Sequence, residues 1–63
     1  MNIVDMLNSY TGIDIWQDVI LGLPGYDADA TEALDPGCTN DVFVADGVVY
    51  RYDMASRAWY VAS

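Results

Sequence analysis

Apolar residues recur at helical spacing through the first third of the chain. Ile3, Met6, Leu7 and Tyr10 fall on one side of a helix, and Asn2, Asp5, Asn8 and Ser9 lie mainly opposite. The pattern predicts a helix over 2–11. Asn2 is its N-cap, Asp5 sits in the first turn where the backbone dipole favours negative charge, and Gly12 is the stop. A second stripe, Ile15, Trp16, Val19, Ile20 and Leu23, predicts a helix over 13–22 whose wet side carries Asp14, Gln17 and Asp18. Thr11 and Asp14 have the spacing of a capping box, and Pro24-Gly25 ends the helix. Asp29 and Glu32 repeat that spacing and predict a short helix over 29–35, closed by Asp35-Pro36-Gly37.

From residue 41 the pattern changes to short runs rich in Val and aromatic residues. Asp46-Gly47 between two such runs is a strong hairpin signal and predicts a type I′ turn, pairing Val44 with Val49 and Phe43 with Tyr50. A loop at 53–56 then pairs Tyr50 with Trp59 and Val49 with Tyr60. One sheet face carries Phe43, Val48, Tyr50, Trp59 and Val61. The other carries Val42, Val44, Val49, Arg51, Tyr60 and Ala62, so both are largely apolar. The reading is an α+β fold, with two or three N-terminal helices packed on a three-stranded antiparallel β-meander, in a single domain spanning 1–63. Leu7, Trp16, Val19, Phe43, Tyr50 and Trp59 are the expected core.

Length sharpens that expectation. A chain of 63 residues buries only roughly 60% of its unfolded surface. It therefore depends on bulky residues, which Trp16, Trp59, Phe43 and five tyrosines supply. With 54% hydrophobic residues the chain is too apolar for a disordered acidic tail.

Charge changes the functional picture most. Ten acids, nine of them Asp, face two basic residues, Arg51 and Arg57, for a net charge of −8; His is absent and neither basic residue is Lys. Such a chain repels phosphate backbones and anionic lipid, which argues against direct nucleic-acid or membrane binding, and it attracts basic protein surfaces. The N-terminus lacks the basic n-region of a signal peptide, no apolar run approaches a membrane span, and the single Cys38 excludes an internal disulfide. A cytoplasmic location is the expectation.

Catalytic chemistry finds little to work with. Without His or Lys no nucleophile has a neighbouring base, and nothing near Cys38 lowers its pKa. Paired carboxylates for glycosidase-type chemistry need a cleft that so small a domain hardly affords. Asp27, Asp29 and Thr31 alternate like the first ligands of a calcium loop. The positions requiring Gly and Glu hold Glu32 and Cys38 instead. No catalytic residues, metal ligands or cofactor are assigned, and an enzyme is not expected.

Three uses of the acids compete. They can imitate nucleic-acid phosphates, solvate a salt-adapted protein, or be incidental to an apolar contact around Val44, Val49 and Tyr60 that serves a partner or a weak homodimer. Duplex DNA carries about 16 charges over a ~27 Å length, the diameter expected for a globule of this size, and ten carboxylates approach that density. The short Asp side chain holds its charge near the backbone at low entropic cost. Residues 14–32 contain Asp14, Asp18, Asp27, Asp29 and Glu32 and no basic residue, making these five the candidate partner-binding acids. Asp5, Asp35 and Asp41 are secondary. Asp46 is discounted because the turn needs it, and Asp53 because Arg51 and Arg57 lie close in sequence.

A very short, Lys-free, acidic α+β chain ending in an aromatic hairpin, VFVADGVVYRYDMASRAWYVA, resembles the small phage-encoded anti-CRISPR proteins. It is similar in character to those that act on type I systems by occupying DNA-binding surfaces. The resemblance spans the whole chain in size, charge and layout, without a shared motif. It implies a phage or mobile-element origin, action in the bacterial cytoplasm, and a partner with a basic DNA-binding groove in the Cascade surveillance complex.

Overall fold

Each α-helix begins where a side-chain oxygen satisfies an otherwise unpaired N–H. The computed structural model describes residues 2–63. In it Asn2 Oδ1 accepts from Asp5 N–H at 2.8 Å and starts α1 (Ile3–Ser9). Asp14 Oδ1 accepts from Gln17 N–H at 3.2 Å and starts α2 (Ile15–Asp18). Asp27 Oδ1 accepts from Ala30 N–H at 3.0 Å and starts α3 (Ala28–Leu34). The caps of the second and third helices are thus Asp14 and Asp27, not Thr11 and Asp29. Asp29 occupies the first turn of α3, and α1 stops two residues short of the expected end.

The expected helix over 13–22 is broken. Beyond α2, Val19 leaves helical geometry at φ −127°, and Ile20–Gly22 form a 3-10 turn. Its bonds run from Gly22 N–H to Val19 O and from Leu23 N–H to Ile20 O. A β-branched residue followed closely by Gly22 and Pro24 has little to sustain an α-helix. The tighter turn leaves the Ile20 side chain fully buried.

Three strands follow, β1 (Val42–Ala45), β2 (Val48–Asp53) and β3 (Ala58–Val61), in the antiparallel order β1-β2-β3. Helices before strands give the α+β architecture. The first hairpin has the expected register, Phe43 opposite Tyr50 and Val44 opposite Val49. Asp46 and Gly47 both have positive φ, 52° and 76°, as a type I′ turn requires.

The second hairpin differs from expectation by two residues. Tyr50 faces Val61, Arg51 faces Tyr60 and Tyr52 faces Trp59. Asp53 remains in the strand, and its carboxylate accepts Ala55 N–H at 3.1 Å and the Ser56 hydroxyl at 2.9 Å. The loop is therefore 54–57, closed by Arg57 at φ 56°. Because the error is an even number, every side chain keeps its expected face.

One face meets the first two helices and the 3-10 turn. Leu7, Ile20, Phe43, Ala45, Tyr50 and Trp59 form its buried cluster, with Trp16 and Val19 half-buried beside them. Phe43 is fully enclosed. Its ring stacks on Tyr50 at 4.8 Å between centroids, and meets Trp59 edge-on at 5.3 Å and Trp16 at 6.3 Å. Such aromatic pairs contribute about 0.5–1.5 kcal/mol each beyond their buried area.

The two edge strands are met by helix side chains and, on β1, by backbone of the segment that leads into α3. On β1, Val44 N–H donates to Thr31 Oγ1 at 3.0 Å and Val44 O accepts from Asp27 N–H at 2.9 Å. On β3, Asn8 accepts Trp59 N–H at 2.8 Å and donates to Trp59 O at 3.1 Å. With α3 packed on β1, Val42 and Val44 are both buried. Val44 therefore does not belong to an open apolar face. What remains exposed there is Arg51, Tyr60 and Ala62, with Val49 half-buried.

Two outcomes follow. Phe43→Ala removes the ring shared by three aromatic contacts and should cost about 3–5 kcal/mol, enough to leave most of the chain unfolded in a urea titration followed by tryptophan fluorescence. Thr31→Val keeps the shape but strands the buried Val44 N–H; a loss of about 1–3 kcal/mol should appear as a lower urea midpoint with an unchanged slope.

Candidate binding surface

The five acids of residues 14–32 occupy two short helices. Asp14 caps α2 and Asp18 is its last residue. Asp27 caps α3, Asp29 lies in its first turn, and Glu32 follows one turn on. All five are exposed. Helical geometry separates Asp14 and Asp18 from Trp16 by about half a turn, so these two lie on the side of α2 away from Trp16. Asp27 and Asp29 lie at the N-terminal end of α3, and Glu32 lies past its middle. Asp27 caps that helix, and Asp29 and Thr31 lie within it, so the three do not wrap a loop around an ion. Among the described residues, no group of three or more Asp, Glu, Cys or His is placed to hold a metal.

Between the two helices lies an open groove of about 380 Å³. Trp16 and Tyr26 contribute aromatic walls; Thr31, Glu32, Asp35 and Asn40 contribute polar ones. Residues 28, 31, 32 and 35 recur at helical spacing and present one side of α3 to it. Of the five acids of residues 14–32, Glu32 alone lines the groove.

Asp35, a secondary candidate, is only 8% exposed and lines the groove wall instead of standing open on the surface. It organises the turn after α3. Oδ1 accepts Thr39 N–H at 2.9 Å and the Thr39 hydroxyl at 2.8 Å, and Oδ2 accepts Asn40 N–H at 2.9 Å. The Thr39 N–H is the largest influence and holds the carboxyl below its ordinary range. Burial opposes it, and the Asn40 N–H and Thr39 hydroxyl add to the lowering. The same hydroxyl lies 2.7 Å from Asp41 Oδ1 and, with one proton, serves one carboxylate at a time. Cys38 and Asn40 flank Thr39 with φ of 52° and 60°, a left-handed geometry uncommon for side chains other than glycine.

Of the remaining acids, Asp5 lies exposed in the first turn of α1. Asp46 carries the hairpin turn, and its carboxylate lies where a Cβ on Gly25 would sit; with Gly25 at φ 82°, only glycine fits there. Asp53 is occupied by its own loop rather than by an arginine. The Ser56 hydroxyl, foremost, and the Ala55 N–H hold its carboxyl below the ordinary range. Trp16 and Tyr26 were not legible as groove walls. Trp16 falls on an apolar stripe that predicts full burial, and Tyr26 follows a Pro-Gly turn with no periodic context. No helix among the described residues is long and apolar enough to cross a membrane. Comparison of the chain with protein-family models, curated proteins and solved structures finds no match.

Asp35 ties stability to pH. Its folded pKa is depressed, so its contribution is complete above the unfolded carboxylate value, about 3.9, and fades as pH falls through the folded value. Asp35→Asn should melt below the parent at pH 7, and the gap in Tm should narrow steadily between pH 4 and pH 2. A gap that is constant across that range would remove the carboxylate's charge from the explanation.

Proposed function

We propose that this chain is a non-enzymatic inhibitor that covers a basic nucleic-acid-binding surface of a partner protein with an acidic, DNA-mimicking face. Of the kinds of protein that fit, we infer an anti-CRISPR that blocks target DNA binding by a type I Cascade complex in the bacterial cytoplasm. The observation that carries the reading is the exposure of Asp14, Asp18, Asp27, Asp29 and Glu32 along a segment free of basic residues. The molecule measures 27 × 25 × 22 Å and carries ten carboxylates. Duplex DNA presents about 16 phosphates over the longest of these dimensions. Two of the candidate acids are also fixed in place, since the cap bonds of Asp14 and Asp27 hold their carboxylates against the helix ends. Charges already ordered lose less entropy on binding.

A second reading has its own support. Tyr60 is exposed, at 45%, on the outer strand of the sheet, and Val49 on the same face is half-buried. In that reading Val49, Tyr60 and their neighbours make the contact, with a partner or a second copy, and the acids only solvate.

Mobility-shift assays with type I Cascade complexes and cognate DNA separate the two. The parent chain should release DNA in a salt-dependent way, because wet charged contacts are screened over a Debye length of about 8–10 Å. The triple reversal Asp18→Lys, Asp27→Lys and Asp29→Lys should abolish release; because Asp27 also caps α3, Asp27→Asn, which keeps a capping oxygen and removes only the charge, should weaken release in the same direction. If the triple reversal leaves release intact while Val49→Asp or Tyr60→Asp abolishes it, the sheet face is the working surface.

A further inference from the structure

The acids explain attraction to a basic surface but not registration upon it. A field of carboxylates is nearly uniform along a surface, whereas a groove with fixed walls selects one group and one orientation. The groove between α2 and α3 has that character. Trp16 belongs to α2, Tyr26 precedes α3, and Glu32 and Asp35 lie one turn apart on α3. Trp16 is anchored on its core side by its edge contact with Phe43, and both it and Tyr26 are half-buried, so the aromatic walls are not free to collapse.

We propose that this groove is a socket for one arginine side chain of the basic partner, with the guanidinium lying against Trp16 and Tyr26 and forking to Glu32.

Complementarity of charge selects the occupant. Asp35 lines the groove with little of the residue exposed, and the hydrogen bonds of its carboxylate all come from neutral donors, two backbone N–H groups and a hydroxyl. None of those bonds brings a cation to Asp35, so its negative charge stands at the groove wall without a positive partner among these donors. Glu32 adds a second charge at the rim, exposed and able to turn inward. Aromatic faces carry negative electrostatic potential and favour a cation lying over them. An anionic or neutral occupant meets two carboxylates. An ammonium satisfies the charge but lacks the flat surface that packs on an indole and the paired donors that match a carboxylate. The socket rests on the proposed DNA-mimicking function, since the groove walls of DNA-binding proteins are where arginines cluster. It adds an anchoring contact that a phosphate backbone does not itself provide.

The test uses the full chain and short capped peptides. Acetyl-Gly-Arg-Gly-amide is titrated into isotopically labelled protein, with the citrulline peptide as a neutral isostere and the lysine peptide as a point charge. The arginine peptide should move the Trp16 indole N–H and the backbone signals of Tyr26 and residues 31–35 along saturating curves. The lysine peptide should bind more weakly, and the citrulline peptide should leave these signals in place. Glu32→Gln lies on an exposed helix position and should preserve the fold, seen in an unchanged spectrum elsewhere. It should weaken the arginine peptide about two- to fivefold, the scale of one cation–aromatic or exposed ion-pair contact. Trp16→Phe keeps an aromatic wall of smaller area and should weaken it too.

Equal shifts from citrulline and arginine, or shifts spread evenly over Asp5, Asp14, Asp18 and Asp41 without saturation at Trp16, would overturn the socket. The mobility-shift assay separates this failure from failure of the function. If the parent releases DNA and the triple reversal does not, while Glu32→Gln and Trp16→Phe release DNA as the parent does, the acidic face stands and the socket falls. If the arginine peptide saturates at Trp16 but no DNA is released, the socket stands and its use against a DNA-binding protein falls.

Discussion

The ring of Phe43 is the contact on which the rest of this molecule depends. It lies on β1, stacks on Tyr50 of β2, and meets Trp59 of β3 and Trp16 of α2 at their edges. A single side chain thereby joins all three strands to the second helix. A chain this short gives few apolar positions away to redundancy, and its large surface-to-core ratio leaves little margin. Concentrating contacts on one enclosed aromatic achieves closure with few ordered residues. Tyr52 extends the same array by its edge contact with Trp59 at 5.4 Å.

A three-stranded sheet has a second difficulty, because two of its three strands are edges. Unpaired edge groups invite other strands. Here the answer is local: side chains from the helices on both edges, and on β1 also a short antiparallel bridge from Tyr26 to Ala45. Thr31 and the N–H of Asp27 engage Val44 on one side, and the two-way bond of Asn8 to Trp59 closes part of the other. These polar contacts also orient the helices. Asn8 draws α1 against β3, and Thr31 with Asp27 draws α3 against β1. The position of α3 then creates the groove against Trp16. Sheet protection and the candidate partner surface are thus two consequences of one helix placement.

The acids divide into those that build the molecule and those left over. Asp35 and Asp53 hold turns, Asp46 makes the hairpin reversal, and Asp14 and Asp27 start helices. Asp18, Asp29 and Glu32 have none of these tasks. Asp5 and Asp29 lie in first helical turns, where the backbone dipole favours negative charge, and Asp41 approaches the Thr39 hydroxyl, so Asp18 and Glu32 have the least part in the fold. Asp14 and Asp27 serve both roles, since a cap uses part of the carboxylate's hydrogen-bonding capacity and leaves the charge in place.

Much of this fold was legible from local pattern. The helical stripes, the Asn2 cap, the Asp46-Gly47 reversal and the first hairpin register each depend on a few neighbouring residues whose preferences agree. The faces of the sheet were legible too, since strand alternation survives an even slip in register. What the sequence by itself determined, then, was the order of elements, the first turn, the aromatic core on one sheet face and the excess of negative charge. The tertiary structure decided the rest. Whether Asp53 ends a strand or begins a loop depends on bonds its carboxylate makes across the turn. Whether Val44 is open depends on α3, and whether Trp16 is core or wall depends on how far α3 stands from α2. Asp35 looked like a terminal acid until the chain beyond it folded back and buried it. Each of these outcomes is set by groups distant in sequence or by the competition of several donors for one acceptor, and neither periodicity nor residue type encodes that competition.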